Sequence, residues 1–311
     1  MKLAPVVMFV YNRADHFIKT YEALSKCEEA SKTDLFVFSD GAKREKDIEK
    51  VNIVRDIVHQ EMEHTVFHTM KVIESPVNKG LAASVITGVT EILEKYGKVI
   101  VVEDDCMPSP YFLKYMNTCL DYYEDQRSVG AIAGFTPSID LPKDYLDDVF
   151  LAYRSCSWGW ATWKDRWVNV DWELKDMKDF YNNPELIKKL NFNGNDRFIR
   201  LYRQTKGNGS SWSVRFGAHL VKNNQFTVYP RYSYIQNIGC DESGVHSKSE
   251  DAIKMRVDLS KAIENPNLTT PALNNDIQKI MKKHYSSGIK SDIKRKVATK
   301  LIVMKERLKL N

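Results

Sequence analysis

The 311-residue sequence is poor in cysteine and in long apolar runs, and each shortage excludes a class of protein. Its five cysteines (Cys27, Cys106, Cys119, Cys156, Cys240) are odd in number and scattered, with no Cys-x-x-Cys pair. Neither a disulfide framework nor a zinc site is expected, and a reducing cytoplasm fits best. No stretch reaches the ~18 apolar residues of a membrane span. Leu3 to Val10 is apolar but runs into Asn12-Arg13 without a small-residue cleavage site, so it predicts a buried first strand and not a signal sequence. Internal repeats and low-complexity tracts are also missing. Neither sign of charge dominates, with 46 Lys and Arg against 41 Asp and Glu, a formal +5. Residues 279–311, however, hold 11 Lys and Arg against Asp292 and Glu306, and subtracting that +9 leaves −4 on residues 1–278. A mildly acidic body argues against nucleic acid as ligand and makes the basic tail a separate electrostatic device. A hydrophobic fraction of 43% with 28% charged residues excludes disorder.

What is present is a regular alternation over the first ~130 residues. Pro5–Val10, Asp34–Phe38, Thr69–Glu74 and Lys98–Val102 are continuous Val/Ile/Phe-rich runs. Between them lie the helix-length amphipathic segments Ala14–Cys27, Glu45–Glu63 and Leu81–Tyr96. Continuous apolar strands are buried on both faces, which with intervening helices predicts a parallel α/β sheet. From about Gly130 aromatics concentrate, a helix is expected at Asp196–Thr205, and a second aromatic stretch covers Trp212–Tyr234. Asp251–Thr270 reads as a linker, and residues 276–310 as helix broken near Ser286–Gly288. The expected organisation is a nucleotide-binding half at 1–130, a second half of the same domain at 131–250, and a linker with basic helical tail at 251–311.

Ligands of such sheets sit beyond the carboxyl ends of the strands. Those ends carry Tyr11-Asn12-Arg13, Ser39-Asp40-Gly41, Asn78-Lys79-Gly80-Leu81 and Glu103-Asp104-Asp105. Three consecutive acids there need a counter-charge. A hard divalent cation, Mg²⁺ or Mn²⁺, takes one or two carboxylates and completes its shell with water and substrate phosphates. The plainer alternative is a solvated acidic loop. Lys79 suits the phosphate side of a helix N-terminus. Asp40 in Ser-Asp-Gly is equally a turn signal, and Arg13 equally a cap.

These motifs, in this order, resemble the nucleotide-sugar half of a GT-A glycosyltransferase. They are nearest bacterial family 2-like polysaccharide transferases and N-acetylglucosaminyltransferase I, which also carries Glu-Asp-Asp. Ser157-Trp158-Gly159-Trp160-Ala161-Thr162-Trp163, Gln236-Asn237-Ile238-Gly239 and Ser243-Gly244-Val245-His246 extend the resemblance to residues 4–248. It implies a GT-A fold with an acceptor-side subdomain, a nucleotide-sugar donor (UDP-sugar favoured) and a glycan or lipid-linked glycan acceptor. It also implies Mn²⁺ or Mg²⁺, and inversion at the anomeric carbon. Arg13 and Asp40 would contact the uridine and its surroundings, Asp104 the ribose, and Asp105 the metal. Glu103 would lie near the donor sugar, and His246 would be a late metal or diphosphate ligand.

Inversion requires a general base for the acceptor hydroxyl. Asp196, ahead of Arg197-Phe198-Ile199-Arg200, resembles the base-bearing helix start of N-acetylglucosaminyltransferase I; a helix cap is the alternative. Asp241 and Glu242 are the runners-up. Trp158 and Trp160 could present faces to a sugar or belong to a core, whereas Trp163, Trp167 and Trp172 are left to packing. In the tail, Ile289, Ile293, Val297, Leu301, Met304 and Leu308 recur at helical spacing among lysines. Such a helix either docks on its own body or a partner subunit of a homo-oligomer, or adsorbs to an anionic membrane through residues 289–310. The expected location is cytoplasmic, peripheral on the inner face of the membrane. Competing functions are a sugar nucleotidyltransferase, disfavoured by the glycine-free Tyr11–Asp15 loop, and a non-catalytic carbohydrate-binding protein.

Overall fold

Strand β1 (Val6–Val10) is buried along its whole length and lies between two parallel partners, β2 (Asp34–Ser39) and β4 (Lys98–Glu103). The computed structural model describes residues 3–239 and 255–310. Alternate residues of β1 enter different cores: Val6, Met8 and Val10 face one side, Val7 and Phe9 the other. This two-sided burial is why the strands read as unbroken apolar runs. Helix α1 (Ala14–Ser25) buries Phe17, Tyr21 and Leu24, and α2 (Ile48–Glu63) buries Val54 and Val58, both on the first side. β3 (Thr69–Glu74) completes the parallel edge, and α3 (Leu81–Tyr96) covers the second side with Val85, Val89 and Ile92.

After β4 come the short β5 (Cys106–Pro108), α4 (Phe112–Tyr122), β6 (Val129–Ala133), β7 (Val149–Ala152) and β8 (Trp160–Trp163). Four short helices follow: α5 (Lys164–Trp167), α6 (Met177–Asn182), α7 (Pro184–Leu190) and α8 (Arg197–Gln204). Then α9 (Trp212–Lys222), β9 (Phe226–Pro230), β10 (Ile235–Asn237), α10 (Asn275–His284) and α11 (Ile289–Leu310) complete the described elements. The main sheet runs β3-β2-β1-β4-β8-β6-β9-β7. Its first four strands are parallel; β8 is antiparallel to β4 and β6, and β7 antiparallel to β9. The α/β fold expected from the sequence, a mostly parallel sheet flanked by helices, is the one observed. One continuous sheet crosses residue 130.

The tryptophan-rich segment is mostly core. Trp160 is 1% exposed, stacked on Trp167 and Trp212, so its expected contact with a sugar is corrected to packing. Trp163 buries its ring on the opposite face and donates its indole N–H to the Leu120 carbonyl. Trp158 stays half-buried, edge-on to Phe135. Gly159 between them adopts φ +58°, and a Cβ there would meet the Ile235 side chain. No helix among the described residues is long and apolar enough to cross a membrane.

Candidate active site

Parallel register places the ends of β1, β2 and β4 side by side. Phe9 pairs with Phe38 on one side and with Glu103 on the other. The chain turns after Val10 and begins α1 at Ala14, which swings Arg13 over the end of β4. Its guanidinium bonds both acids that follow the strand. Nη2 and Nε bond the two carboxylate oxygens of Asp104, and Nη2 also lies 2.9 Å from Asp105 Oδ2. The counter-charge that the acid run requires is therefore supplied in part by the protein itself.

Asp104 is further fixed through its backbone. Its N–H donates to Phe9 O at 3.0 Å, and Thr20 Oγ1 donates to its carbonyl at 2.8 Å. Asp104 is 4% exposed with both carboxylate oxygens on Arg13, an internal ion pair where a reach toward a ribose is expected from the sequence. Arg13 is tied to the same acids through Nε and Nη2. Asp105 is held from the other side by the small β5–β10 ladder, in which Asn237 pairs with Cys106. Asn237 Nδ2 donates to Asp105 Oδ1 at 3.1 Å, and the Ile238 N–H donates to the Asp105 carbonyl at 2.8 Å. Gly239 closes against this group: a Cβ there would overlap Asp105 Oδ2 and lie 2.9 Å from Arg13 Nη1. The Gln-Asn-Ile-Gly segment thus touches the acids directly, which sequence reading noted only as a resemblance.

Electrostatics follow from three acids facing one guanidinium. Burial, then Asp105 and Asp104, push the Glu103 carboxyl up to about 8. Burial also raises Asp104, against the pull of Arg13, to about 6. The Arg13 charge is opposed by burial but more strongly favoured by Asp104 and Asp105, so its pKa is raised. Among the described residues no group of three or more His, Cys, Asp or Glu is gathered as a metal shell. The donor chemistry nonetheless fits a hard divalent cation, which needs only one or two carboxylates. All the acids' donors are oxygens, and carboxylates outnumber the single cation.

Asp40 has a different role from the one expected. Its Oδ1 accepts from the Gly41 and Lys79 N–H groups, and its Oδ2 from the Gly80 N–H and the Asn78 amide, all at 2.8–3.0 Å. Four bonds fill a carboxylate's acceptor capacity. The expected nucleotide contact is corrected accordingly: Asp40 ties the 78–80 loop to β2 and sets where α3 begins. The Lys79 side chain is exposed at that edge.

Asp196 sits elsewhere, among arginines. Its Oδ1 is 3.2 Å from Arg154 Nη1 and its Oδ2 is 3.6 Å from Arg200 Nη1. Burial would raise this carboxyl, but Arg154 and Arg197 outweigh burial and hold it well below the usual carboxylate range. Arg154 also stacks on Tyr285, 3.9 Å from the ring centroid. Buried Arg197 donates to Ser155 Oγ at 2.8 Å. This carboxylate serves to neutralise guanidinium groups, a role no local motif signals because Arg154 is 42 residues away in sequence. Asp241, Glu242 and His246 lie outside the described residues.

No protein-family model and no curated protein sequence matches the chain. Among solved structures it is similar to S. aureus TarS residues 1–349, at 12% identity and TM-score 0.42, covering 74% of this chain and 59% of that one. The same TarS fragment in complex with UDP-GlcNAc is similar at 12% identity and TM-score 0.44, covering 76% and 58%. The mannosyltransferase PcManGT from Pyrobaculum calidifontis, in complex with GDP-Man and Mn²⁺, is similar at 14% identity and TM-score 0.35, covering 56% and 47%. The chain therefore spans less than 60% of each of these structures.

Proposed function

We propose that this chain is a metal-dependent, inverting glycosyltransferase that moves a hexosyl or N-acetylhexosaminyl unit from a nucleotide-sugar, UDP-linked by preference, to a glycan or lipid-linked glycan. The observation that carries the reading is the acid group at the carboxyl edge of a parallel sheet, pinned by Arg13 and Asn237. Glycosyl transfer develops negative charge on the departing diphosphate. Arg13 offsets part of the acids' own charge at that edge, so a departing diphosphate meets a less negative, partly buried site in which a further cation acts strongly. Asn237 and Gly239 hold Asp105 in one orientation. A divalent cation, when bound, supplies Lewis-acid stabilisation of the leaving group; Asp105 would hold it, with Glu103 beside it and His246 as the second expected ligand. The base for the acceptor hydroxyl is proposed to be Asp241 or Glu242, because Asp196 is occupied by two guanidinium groups. A nucleotidyltransferase is disfavoured by the tight turn between β1 and α1, which leaves no room for a glycine-rich phosphate loop. The test is a thermal-shift panel of UDP, GDP, CDP and their sugars with and without Mn²⁺. A ligand at 100 times its dissociation constant stabilises by about 2.7 kcal/mol. Metal-dependent stabilisation by one nucleotide-sugar, lost in Asp105→Ala, is expected; no stabilisation by any member would overturn the reading.

A further inference from the structure

Helix α11 packs with an unexpected face. Ile302 and Val303 join the cluster formed by α6, α7, α8 and α9, and Glu306 turns inward, accepting from Tyr202 Oη at 2.9 Å. Asp292, the other acid of the helix, accepts from Ser286 Oγ at 2.7 Å. The apolar stripe points the other way. Ile289 is 80% exposed and Leu308 72%, and Ile293, Val297, Leu301 and Met304 are each more than half exposed. At 3.6 residues per turn these six occupy about a third of the helix circumference. Exposed lysines surround them: Lys294 and Lys305 on one side and Lys296 on the other, with Lys300 set at the edge of the stripe itself. Both acids of the helix are engaged by hydrogen bonds, so the outward face pairs an apolar stripe with positive charge alone. A groove of about 450 Å³ between α7 and α11, lined by Pro184, Ile187, Val303, Met304 and Leu308 together with Thr299, Lys300 and Arg307, extends this mixed apolar and basic surface beyond the helix.

We propose that α11 is an interfacial anchor that seats the protein on an anionic lipid bilayer, its stripe entering the boundary between headgroups and acyl chains while the lysines meet the headgroups. Charge selects this occupant. A second copy would bring two lysine-bordered faces together with no acid between them, whereas an anionic surface complements both borders at once. The eight Lys and Arg of the helix oppose only Asp292 and Glu306. A contiguous exposed apolar face of this kind marks an interaction surface.

The test is co-sedimentation of the full chain with phosphatidylcholine vesicles and with vesicles containing 30% phosphatidylglycerol, independent of any nucleotide-sugar. Strong sedimentation with the anionic vesicles is expected, falling to background in Ile293→Glu/Leu301→Glu. Because both positions are exposed, that variant should keep its melting temperature. Should it fail to fold, Lys294→Gln/Lys300→Gln/Lys305→Gln keeps the test, with about a hundredfold weaker binding expected from the loss of three surface cations. Absence of wild-type binding at low salt, or binding unchanged in the variants, would overturn the anchor. So would concentration-dependent dimerisation abolished by the stripe variant without vesicle binding, which would assign the face to a second copy.

Discussion

Arg13 and Asp104 form a pair in which neither partner can be removed cheaply. Arg13→Ala would leave Asp104 buried and Asp105 short of a donor, and breaking a buried pair from one side costs roughly 3–5 kcal/mol. Urea unfolding should show a loss of that order at pH 7, shrinking at pH 5 where the raised Asp104 carboxyl takes up a proton. The same acids set the pH response of the wild type. Glu103 and Asp104 have raised pKa values, about 8 and about 6, so the folded state binds their protons more tightly. That stability is present below their ordinary values and is lost as pH rises through 6 and 8. The melting temperature should fall from pH 5 to pH 8, and Mn²⁺ should flatten the fall by favouring the ionised acids. Asp196 offers the contrasting case. If it abstracted a proton, Asp196→Asn would cut turnover 10²- to 10⁴-fold with stability intact. Its arginine partners predict the reverse, a loss of about 3 kcal/mol with kcat of the folded enzyme within tenfold of wild type. The need for a counter-charge at Glu103-Asp104-Asp105 was legible in the sequence. That Arg13, 91 residues away, would provide it was not, because only the parallel register brings them together.

The same division holds for strands, helices and loops. The four parallel strands and three long helices of the first half fall within about three residues of the positions their apolar runs predict, since two-sided burial leaves a strong pattern. Loop chemistry is less readable. Ser-Asp-Gly indicated either a turn or a ligand contact, and the four hydrogen bonds of Asp40 decide for the turn. Asp40→Ala should cost about 3 kcal/mol through unpaired N–H groups of residues 41, 79 and 80. Hydrogen exchange should then speed up at the start of α3 before it does at β1. The tryptophans show why short strands resist reading. In the four residues of β8, neither Trp160 nor Trp163 reveals from sequence which side it faces, and each entered a different core. In α11 the apolar stripe was plain from its spacing. Its outward direction was not, because the packed face sets only Ile302 and Val303 among Ala298, Thr299 and Glu306, fewer apolar residues than the stripe holds.

Across the molecule, one sheet spans both halves of the chain and delivers its polar residues to a single edge. Contributions come from β1, β2, β4 and, through the β5–β10 ladder, from Asn237 and Gly239. On the cluster of α6 to α9 lies α11, whose outward face is basic and apolar. Such a division is what the proposed transferase and the proposed lipid anchor together require, the one at the sheet edge and the other on α11. The most direct measurement is release of nucleoside diphosphate from the nucleotide-sugar that best stabilises the protein, with Mn²⁺ and with EDTA, for the wild type and Asp105→Asn. Metal-dependent release that falls at least a hundredfold in Asp105→Asn is predicted. Release that is equal with EDTA, or equal in the variant, would contradict the assignment of this edge as the transfer site.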